Sequence, residues 1–285
     1  MQPKIFITGG TGLLGINWAL ESSKKYIVAI NQHKRKLTLP NIDSFTVDLE
    51  DKTSIATCFK QWQPALIVHT AGMTNVEACE KDPQLARFIN AELASNIAEI
   101  AYAQGIKLIH ISTDQLFDGT QAFLSEEVAP CPLNAYGVSK TYGEECVLKN
   151  NPDALILRCN FYGWGTDYRH SFSDFIYHNL KAGKPIKLFN DIFYTPATIH
   201  QLIKKTHALV EKNAKGIFNM VGAEKLSKYD FGLQLAQAFD LDERLITACS
   251  VDEAGLLAKR PKDMSLSDKK VRGLLKKGLG SVVEN

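Results

Sequence analysis

The sequence predicts a doubly wound α/β fold, a parallel sheet covered by helices on both faces, with a smaller mixed C-terminal domain. Three observations predict it: a strand, glycine turn and helix at the very start, an alternation of short apolar runs with helical stretches as far as Arg158, and a change of texture beyond. Lys4 to Thr8 is short, apolar and β-branched, as a strand buried on both faces must be. The turn Thr8–Gly15 leads into helical spacing from Ile16 to Ser22, and Tyr26 to Ile30 supplies a second strand, completing a βαβ unit. Phe45-Thr46-Val47 leads to Asp48-Leu49, and Ser54 to Trp62 reads as a helix. Ala65 to His69 is a strand, Ala78 to Gln104 a long helical stretch interrupted at Pro83, and Lys107 to Ser112 another strand. Asn134 to Lys149 is helical and Ala154 to Arg158 extended. Strands alternating with helices imply parallel pairing, because each helix carries the chain back across the sheet. After Arg158, Tyr162–Thr166 is loop-like, and helices are expected at Phe172–Ala182, Thr198–Lys212, Leu226–Phe239 and Asp252–Leu257. The expected division is 1–158 and 159–285, with part of 186–212 packing back on the first domain.

The chain has 285 residues, 33 Lys+Arg against 31 Asp+Glu, 22% charged and 45% hydrophobic residues. That composition supports a large core and excludes a disordered chain. A net charge of +2 leaves no global basic footprint for nucleic acid, while a small anionic ligand needs only a local cluster. No apolar run approaches the roughly 20 residues of a membrane span, so no membrane association is expected. Lys4 followed by Ile5-Phe6-Ile7 is no signal peptide. The six cysteines lie apart with no Cys-x-x-Cys, and read as small buried hydrophobes in a reducing cytoplasm. The seven histidines show no metal-ligand spacing, His110 reads as a core residue, and no metal is expected.

The glycine turn carries the first chemistry. Backbone N–H groups and a helix N-terminus meet a pyrophosphate there, provided no Cβ blocks the approach. Gly10, Gly12 and Gly15 fit Gly-x-Gly-x-x-Gly, while Gly9, Gly12 and Gly15 fit Gly-x-x-Gly-x-x-Gly. Placed between a strand and a helix, the turn points to a dinucleotide held by Gly9, Thr11, Gly12, Leu13, Leu14 and Gly15. An NAD site usually has a carboxylate at the end of the second strand, for the ribose 2′-hydroxyl. Here that strand ends in Asn31-Gln32-His33-Lys34-Arg35-Lys36, and His33, Lys34 and Arg35 suit a 2′-phosphate. NADP(H) is therefore preferred, with NAD(H) as the other option; an ordinary solvated charge run is the alternative reading of the loop.

Tyr136-Gly137-Val138-Ser139-Lys140 opens a predicted helix, and positions four apart share a face. An ammonium near a phenol favours the phenolate, which makes the tyrosine a usable acid near neutrality. Thr113 follows a strand's carboxyl end, the edge at which open α/β sheets bind ligands.

With these motifs in place the chain resembles the extended short-chain dehydrogenase/reductase family, with a Rossmann-type first domain, and within it the dTDP-4-dehydrorhamnose reductases and their relatives. Thr8–Gly15, Val47-Asp48-Leu49, His69–Gly72 through Val76-Glu77, Ser112–Gly119, Pro132–Asn134 leading into Tyr136–Lys140, Asp191–Pro196, Arg260-Pro261 and Leu266-Ser267 carry the resemblance. It implies a reductase of a sugar nucleotide in dTDP-rhamnose and surface polysaccharide synthesis. Tyr136 would be the catalytic acid, Lys140 would tune it and bind the nicotinamide ribose, and Thr113 would hydrogen-bond the reacting oxygen. Asp48 and Leu49 would border the adenine, and Thr70, Ala71 and Gly72 would line the cofactor. Asn160, Phe161 and Arg260 are the substrate-binding candidates, with Arg158, Arg169 and Lys225 as further cations; surface or inter-domain ion pairs are the plain alternative. Tyr162 and Trp164 would pack or stack on a base, and Asn90 is either functional or helix-buried. Gln115 follows Thr113-Asp114 where sugar-nucleotide dehydratases need a carboxylate, which disfavours dehydration. Met73, Phe161 and Asn190-Asp191 also depart from the reductase pattern and leave the sugar open. A homodimer is compatible with the resemblance. The alternatives are a nucleotide-sugar epimerase and a non-catalytic NADP-binding regulatory subunit, as in methionine adenosyltransferase.

Overall fold

The structure, a computed structural model, describes residues 2–284. Its elements run β1 Lys4–Thr8, α1 Leu13–Ser22, β2 Ile27–Asn31, β3 Ile42–Phe45, α2 Lys52–Trp62, β4 Leu66–His69, α3 Val76–Lys81 and α4 Pro83–Arg87. A π-helical turn, Phe88–Glu92, precedes α5 Leu93–Ala103, β5 Lys107–Ile111, α6 Ala135–Asn150 and β6 Leu155–Cys159. Then follow β7 Phe161–Tyr162, α7 Phe172–Lys181, β8 Ile186–Phe189, β9 Phe193–Tyr194, β10 Ala197–Thr198 and α8 Ile199–Glu211. Last come β11 Gly216–Met220, β12 Leu226–Ser227, α9 Lys228–Ala238, β13 Ile246–Cys249 and α10 Lys269–Leu275.

Seven strands make one sheet in the order β11-β6-β5-β4-β1-β2-β3, and every pairing from β3 across to β6 is parallel. The doubly wound expectation holds. The order in which strands are added reverses between β1 and β4, the switch point at which such sheets open a crevice. Phe6, Ile67, Ile97, Ala101 and Ile156 form the core on one face. Helix α2 turns Ile55, Cys58 and Phe59 inward at helical spacing, and Asp51 caps it by accepting the Thr53 N–H at 2.8 Å.

The long helical stretch before β5 is broken twice. Asp82 caps α4 at the Leu85 N–H (2.9 Å) with Pro83 in the first turn, and the π-helical turn follows. That turn lies against α6: a Cβ on Gly143 would stand 2.5 Å from the Asn90 carbonyl oxygen. Glu80 closes the start of α6 by accepting the Ala135 N–H at 2.9 Å.

The chain divides into two compact units. The first is 1–112, 135–157 and 213–217, and the second 113–134, 158–212 and 218–285. The expected division after 158 falls beside one junction, and the others place 113–134 in the second unit and 213–217 in the first. The second unit has its own core of Ile176, Leu188, Tyr194, Phe231, Leu235 and Ile246, built from α7, α9, the parallel pair β8–β13 and the antiparallel pair β9–β12.

Three local expectations need correction. The strand associated with the Phe45-Thr46-Val47 run lies earlier, at Ile42–Phe45, and beyond it the Asn31 side chain engages Val47, accepting its N–H (2.8 Å) and donating to its carbonyl (3.0 Å). The helix expected over Asp252–Leu257 is a single 3-10 turn, Val251–Glu253, ended by Gly255 at φ +60°. Cys58, Cys79 and Cys159 are buried as expected, but Cys131 is exposed in a loop. Among the described residues no helix is long and apolar enough to cross a membrane.

Gly143→Ala separates propensity from packing. Helix propensity favours alanine by about 1 kcal/mol, whereas the clash with the Asn90 carbonyl is backbone against backbone. Net destabilisation of about 1–3 kcal/mol is expected in chemical denaturation, by the usual cost of overpacking. A more stable variant would show that α6 and the π-helical turn do not meet as described.

Candidate active site

In the first unit the site is built on the carboxyl ends of β1, β4 and β5. Gly9 leaves β1 at φ +65°, and a Cβ there would meet the Ala71 N at 2.7 Å. Gly15 lies in the first turn of α1, where a Cβ would stand 2.4 Å from the Gly9 carbonyl oxygen. Between them, the Gly12 N–H donates to that carbonyl at 2.9 Å, and no side chain caps α1. A helix N-terminus without a side-chain cap, behind glycines whose added Cβ would crowd backbone atoms, fits a pyrophosphate. Thr70 lies beside the turn, donating to the Thr8 carbonyl at 2.7 Å. Gly72 is close to Asn90, whose side chain accepts the Met73 N–H (2.7 Å) and donates to the Met73 carbonyl (3.0 Å).

His33, Lys34 and Arg35 are exposed immediately after β2, and Lys36 donates to the Thr46 hydroxyl at 2.7 Å. Asp48 lines an open cavity of about 440 Å³ between the exit of β3 and α2. Leu49 packs beside it on the core.

Tyr136 and Lys140 are buried on α6, one turn apart. The Tyr136 side chain packs with Cys79 and Ala86, and its carbonyl accepts the Ser139 hydroxyl at 2.7 Å. Asn90 donates to that same hydroxyl at 2.9 Å, so it ties α6 to the segment after β4. Asn90 is thus a buried brace in the structure. The Lys140 ammonium donates to the Ile111 carbonyl at 2.6 Å and lies 3.4 Å from His110 Nε2. His110 stacks on His69, ring centroids 5.4 Å apart and 19° from parallel. Burial first, then the Lys140 charge, brings His69 down to about 3 and holds His110 well below its ordinary value.

The second unit contributes a different cluster. The Thr113 hydroxyl accepts the Gln115 N–H and donates to Asp114 Oδ1, both at 3.2 Å. Asp114 is 1% exposed, and its Oδ2 accepts from Asn160 Nδ2 at 2.6 Å. Burial raises Asp114 to about 6, against the opposing pull of the Lys228 charge and the Asn160 and Thr113 hydrogen bonds. Lys228 is half-buried, with Nζ 3.3 Å from the Tyr194 ring centroid, and burial brings it down to about 8. Asn160 belongs to this cluster, whereas Phe161 pairs with Ala197 between β7 and β10. Arg260 is half-buried on the segment after Lys259, whose carbonyl accepts from Asn134 at 2.9 Å.

Two of the wider candidate cations have structural employment. Arg158 is buried with its guanidinium over the Phe117 ring, and Lys225 is ion-paired with Asp263. Trp164 meets Tyr177 and Phe239 edge-on at 5.3 and 5.4 Å, and Tyr162 meets Phe231 at 5.1 Å. Asp191 accepts from the Ser250 hydroxyl (2.6 Å) and the Val251 N–H (2.9 Å). Sequence reasoning missed Lys228, which stands in no motif, and treated Asp114 only as a neighbour of Gln115.

The raised Asp114 gives a pH signature. Its folded value is above the unfolded one, so the fold binds a proton that the unfolded chain releases, and stability falls as pH rises from about 4 through 6. Asp114→Asn removes that slope. Relative to the parent, the variant should gain about 3 kcal/mol between pH 4 and 7 in urea unfolding, two pH units of linkage. A pH-independent difference would show that the carboxylate is ionised throughout.

Comparison with known proteins places this geometry. Residues 3–279 match the family model described as the RmlD substrate binding domain. The probable low-salt glycan biosynthesis reductase Agl14 of Haloferax volcanii is 30% identical over 275 residues, 95% of this chain and 91% of its own length. The methionine adenosyltransferase 2 subunit beta of Rattus norvegicus is 30% identical over 280 residues, covering 95% and 82%. The dTDP-4-dehydrorhamnose reductase of Bacillus anthracis str. Ames, solved in complex with NADP, superposes with a TM-score of 0.87 at 25% identity, covering 99% of this chain and 96% of that one. The family match spans nearly the whole chain and agrees with the resemblance read from the motifs: this protein belongs to the RmlD substrate binding domain family.

Proposed function

We propose that the chain is an NADP(H)-preferring reductase of a 4-keto-6-deoxy sugar nucleotide, dTDP-linked, serving surface polysaccharide synthesis. The observation that carries this reading is the buried Tyr136–Lys140 pair on α6, with Lys140 anchored to the end of β5, in a unit that opens with the glycine turn. The reductase names printed for the Haloferax and Bacillus relatives, and the NADP in the latter, support it. The cofactor supplies a hydride when bound. The chain does the rest. Gly9 and Thr11 to Gly15 would hold the pyrophosphate, His33, Lys34 and Arg35 the 2′-phosphate, Asp48 and Leu49 the adenine, and Thr70 to Gly72 the adjoining ribose.

Tyr136 would pass its phenolic proton to the carbonyl oxygen, completing the alcohol, and the Lys140 charge lowers the cost of leaving a phenolate. Thr113 would donate to the same oxygen, for which its hydroxyl hydrogen must turn away from Asp114. Asn160, Phe161 and Arg260 would contact the sugar nucleotide, an arginine fork suiting a diphosphate. In this scheme the first unit serves the cofactor and the second the substrate, and the protein works in the cytoplasm, as a monomer or a homodimer. The methionine adenosyltransferase relative, as similar in identity as the glycan reductase, favours a second reading as a dinucleotide-binding partner subunit. Stoichiometric co-purification with an enzyme, without turnover of any sugar nucleotide, would select it.

NADPH oxidation on addition of dTDP-4-dehydrorhamnose is the deciding assay, and conversion without net NADPH consumption would indicate an epimerase instead. Tyr136→Phe should slow turnover at least about 100-fold, the low end for losing a general acid; robust turnover would rule out the mechanism. In fluorescence titration NADPH should bind at least about 10-fold more tightly than NADH, one charge-assisted contact's worth, and the double substitution of Lys34 and Arg35 by Ala should erase the difference. Equal affinities in the parent would remove the role of that loop.

A further inference from the structure

Lys140 rests on a residue that belongs to no motif. We propose that His110 is a positioning residue for the reaction: its neutral imidazole accepts a hydrogen bond from the Lys140 ammonium and, with the Ile111 carbonyl, fixes that ammonium at the carboxyl end of β5. This deepens the proposed role of Lys140 and rests on it.

Sheet register supplies the geometry. Thr8 is level with His69, and His69 with His110, so three neighbouring parallel strands bring a polar row to the carboxyl edge. Thr8, His69 and His110 are at most 1% exposed, and Lys140 is 6% exposed. An ammonium has donors and no acceptor, so two of its three protons are directed at consecutive residues of one strand, Ile111 O at 2.6 Å and His110 Nε2 at 3.4 Å. Anchoring to two adjacent points of a sheet strand restricts a long flexible side chain more than one point does. The arrangement also dictates the proton inventory. Nε2 must offer a lone pair to the ammonium, which leaves the His110 proton on Nδ1. Stacked on its other side, His69 is tied through Nδ1 to the Thr8 hydroxyl at 2.7 Å. Both rings stay uncharged, since burial and the Lys140 charge each oppose a second cation. As mere core filling, His110 would be a poor choice. Its Nδ1 has no hydrogen-bond partner among the described residues, a cost that an aliphatic side chain avoids.

Two variants and one spectrum test this. His110→Leu, which removes the acceptor, should lower kcat about 10-fold or more, the loss of a hydrogen bond to a charged group, with the sugar-nucleotide KM within about 3-fold. His110→Gln, whose amide oxygen reaches the Nε2 position, should restore kcat to within about 3-fold of the parent. Equal loss in both variants, or loss in neither, overturns the proposal. Side-chain 15N NMR of the parent at neutral pH should show His110 neutral with its proton on Nδ1, and the Nε2 resonance should move in Lys140→Met. An Nε2–H tautomer, an imidazolium or an unmoved resonance overturns it. The spectrum needs neither cofactor nor substrate, so a parent without turnover would count against the reductase reading while the hydrogen bond is still decided.

Discussion

The parallel register of β1, β4 and β5 is the constraint on which the first unit's chemistry depends. It brings three strand ends level at the point where the strand order reverses, so the glycine turn, the Thr70–Gly72 segment and the β5 terminus share one edge. A slip of one residue in any pair would exchange the two faces of a strand and carry His69 or His110 away from the row. Helix α6 is then located from two directions. Asn90 and the π-helical turn hold its middle through Ser139 and the close approach at Gly143, and β5 holds the ammonium of Lys140.

Burial outweighs charge pairing in both units, with different results. Around Lys140 it keeps two imidazoles neutral, so the ammonium is the positive charge in that row. Around Asp114 it weakens both members of an opposed pair, raising the acid and lowering the lysine until both titrate close to neutrality. Each group would be fully ionised in water, and desolvation is the larger effect for each. Thr113, next to Asp114, therefore has a neighbour whose demand for its proton depends on protonation.

The alternation of strands and helices, the glycine turn and the Tyr136–Lys140 spacing were all legible, because each is a local pattern with a local physical cause. The position of β3 was not. Asn31 makes side-chain bonds to Val47, and nothing in the composition of 42–47 announces them. The π-helical turn escaped for a similar reason, since its apolar spacing continues that of α5. His69 and His110 look like isolated core histidines until the register sets them side by side, and register is a property of pairs of strands. Lys228 becomes visible only through Asp114 and Tyr194, which lie far from it in sequence. The short turn at Asp252 shows the reverse error, a helical spacing ended by one glycine.

The division of the chain into interleaved segments has an evolutionary consequence. The backbone passes between the units at 112/113, 134/135, 157/158, 212/213 and 217/218, so neither unit is a contiguous stretch of gene. No single recombination event can exchange either unit as a cassette, and no single truncation liberates either one intact. Point substitution and loop change on a retained frame are the simpler routes to a new property in such a chain. That is compatible with relatives that match 95% of this chain at 30% identity bearing names as different as a glycan reductase and a transferase subunit.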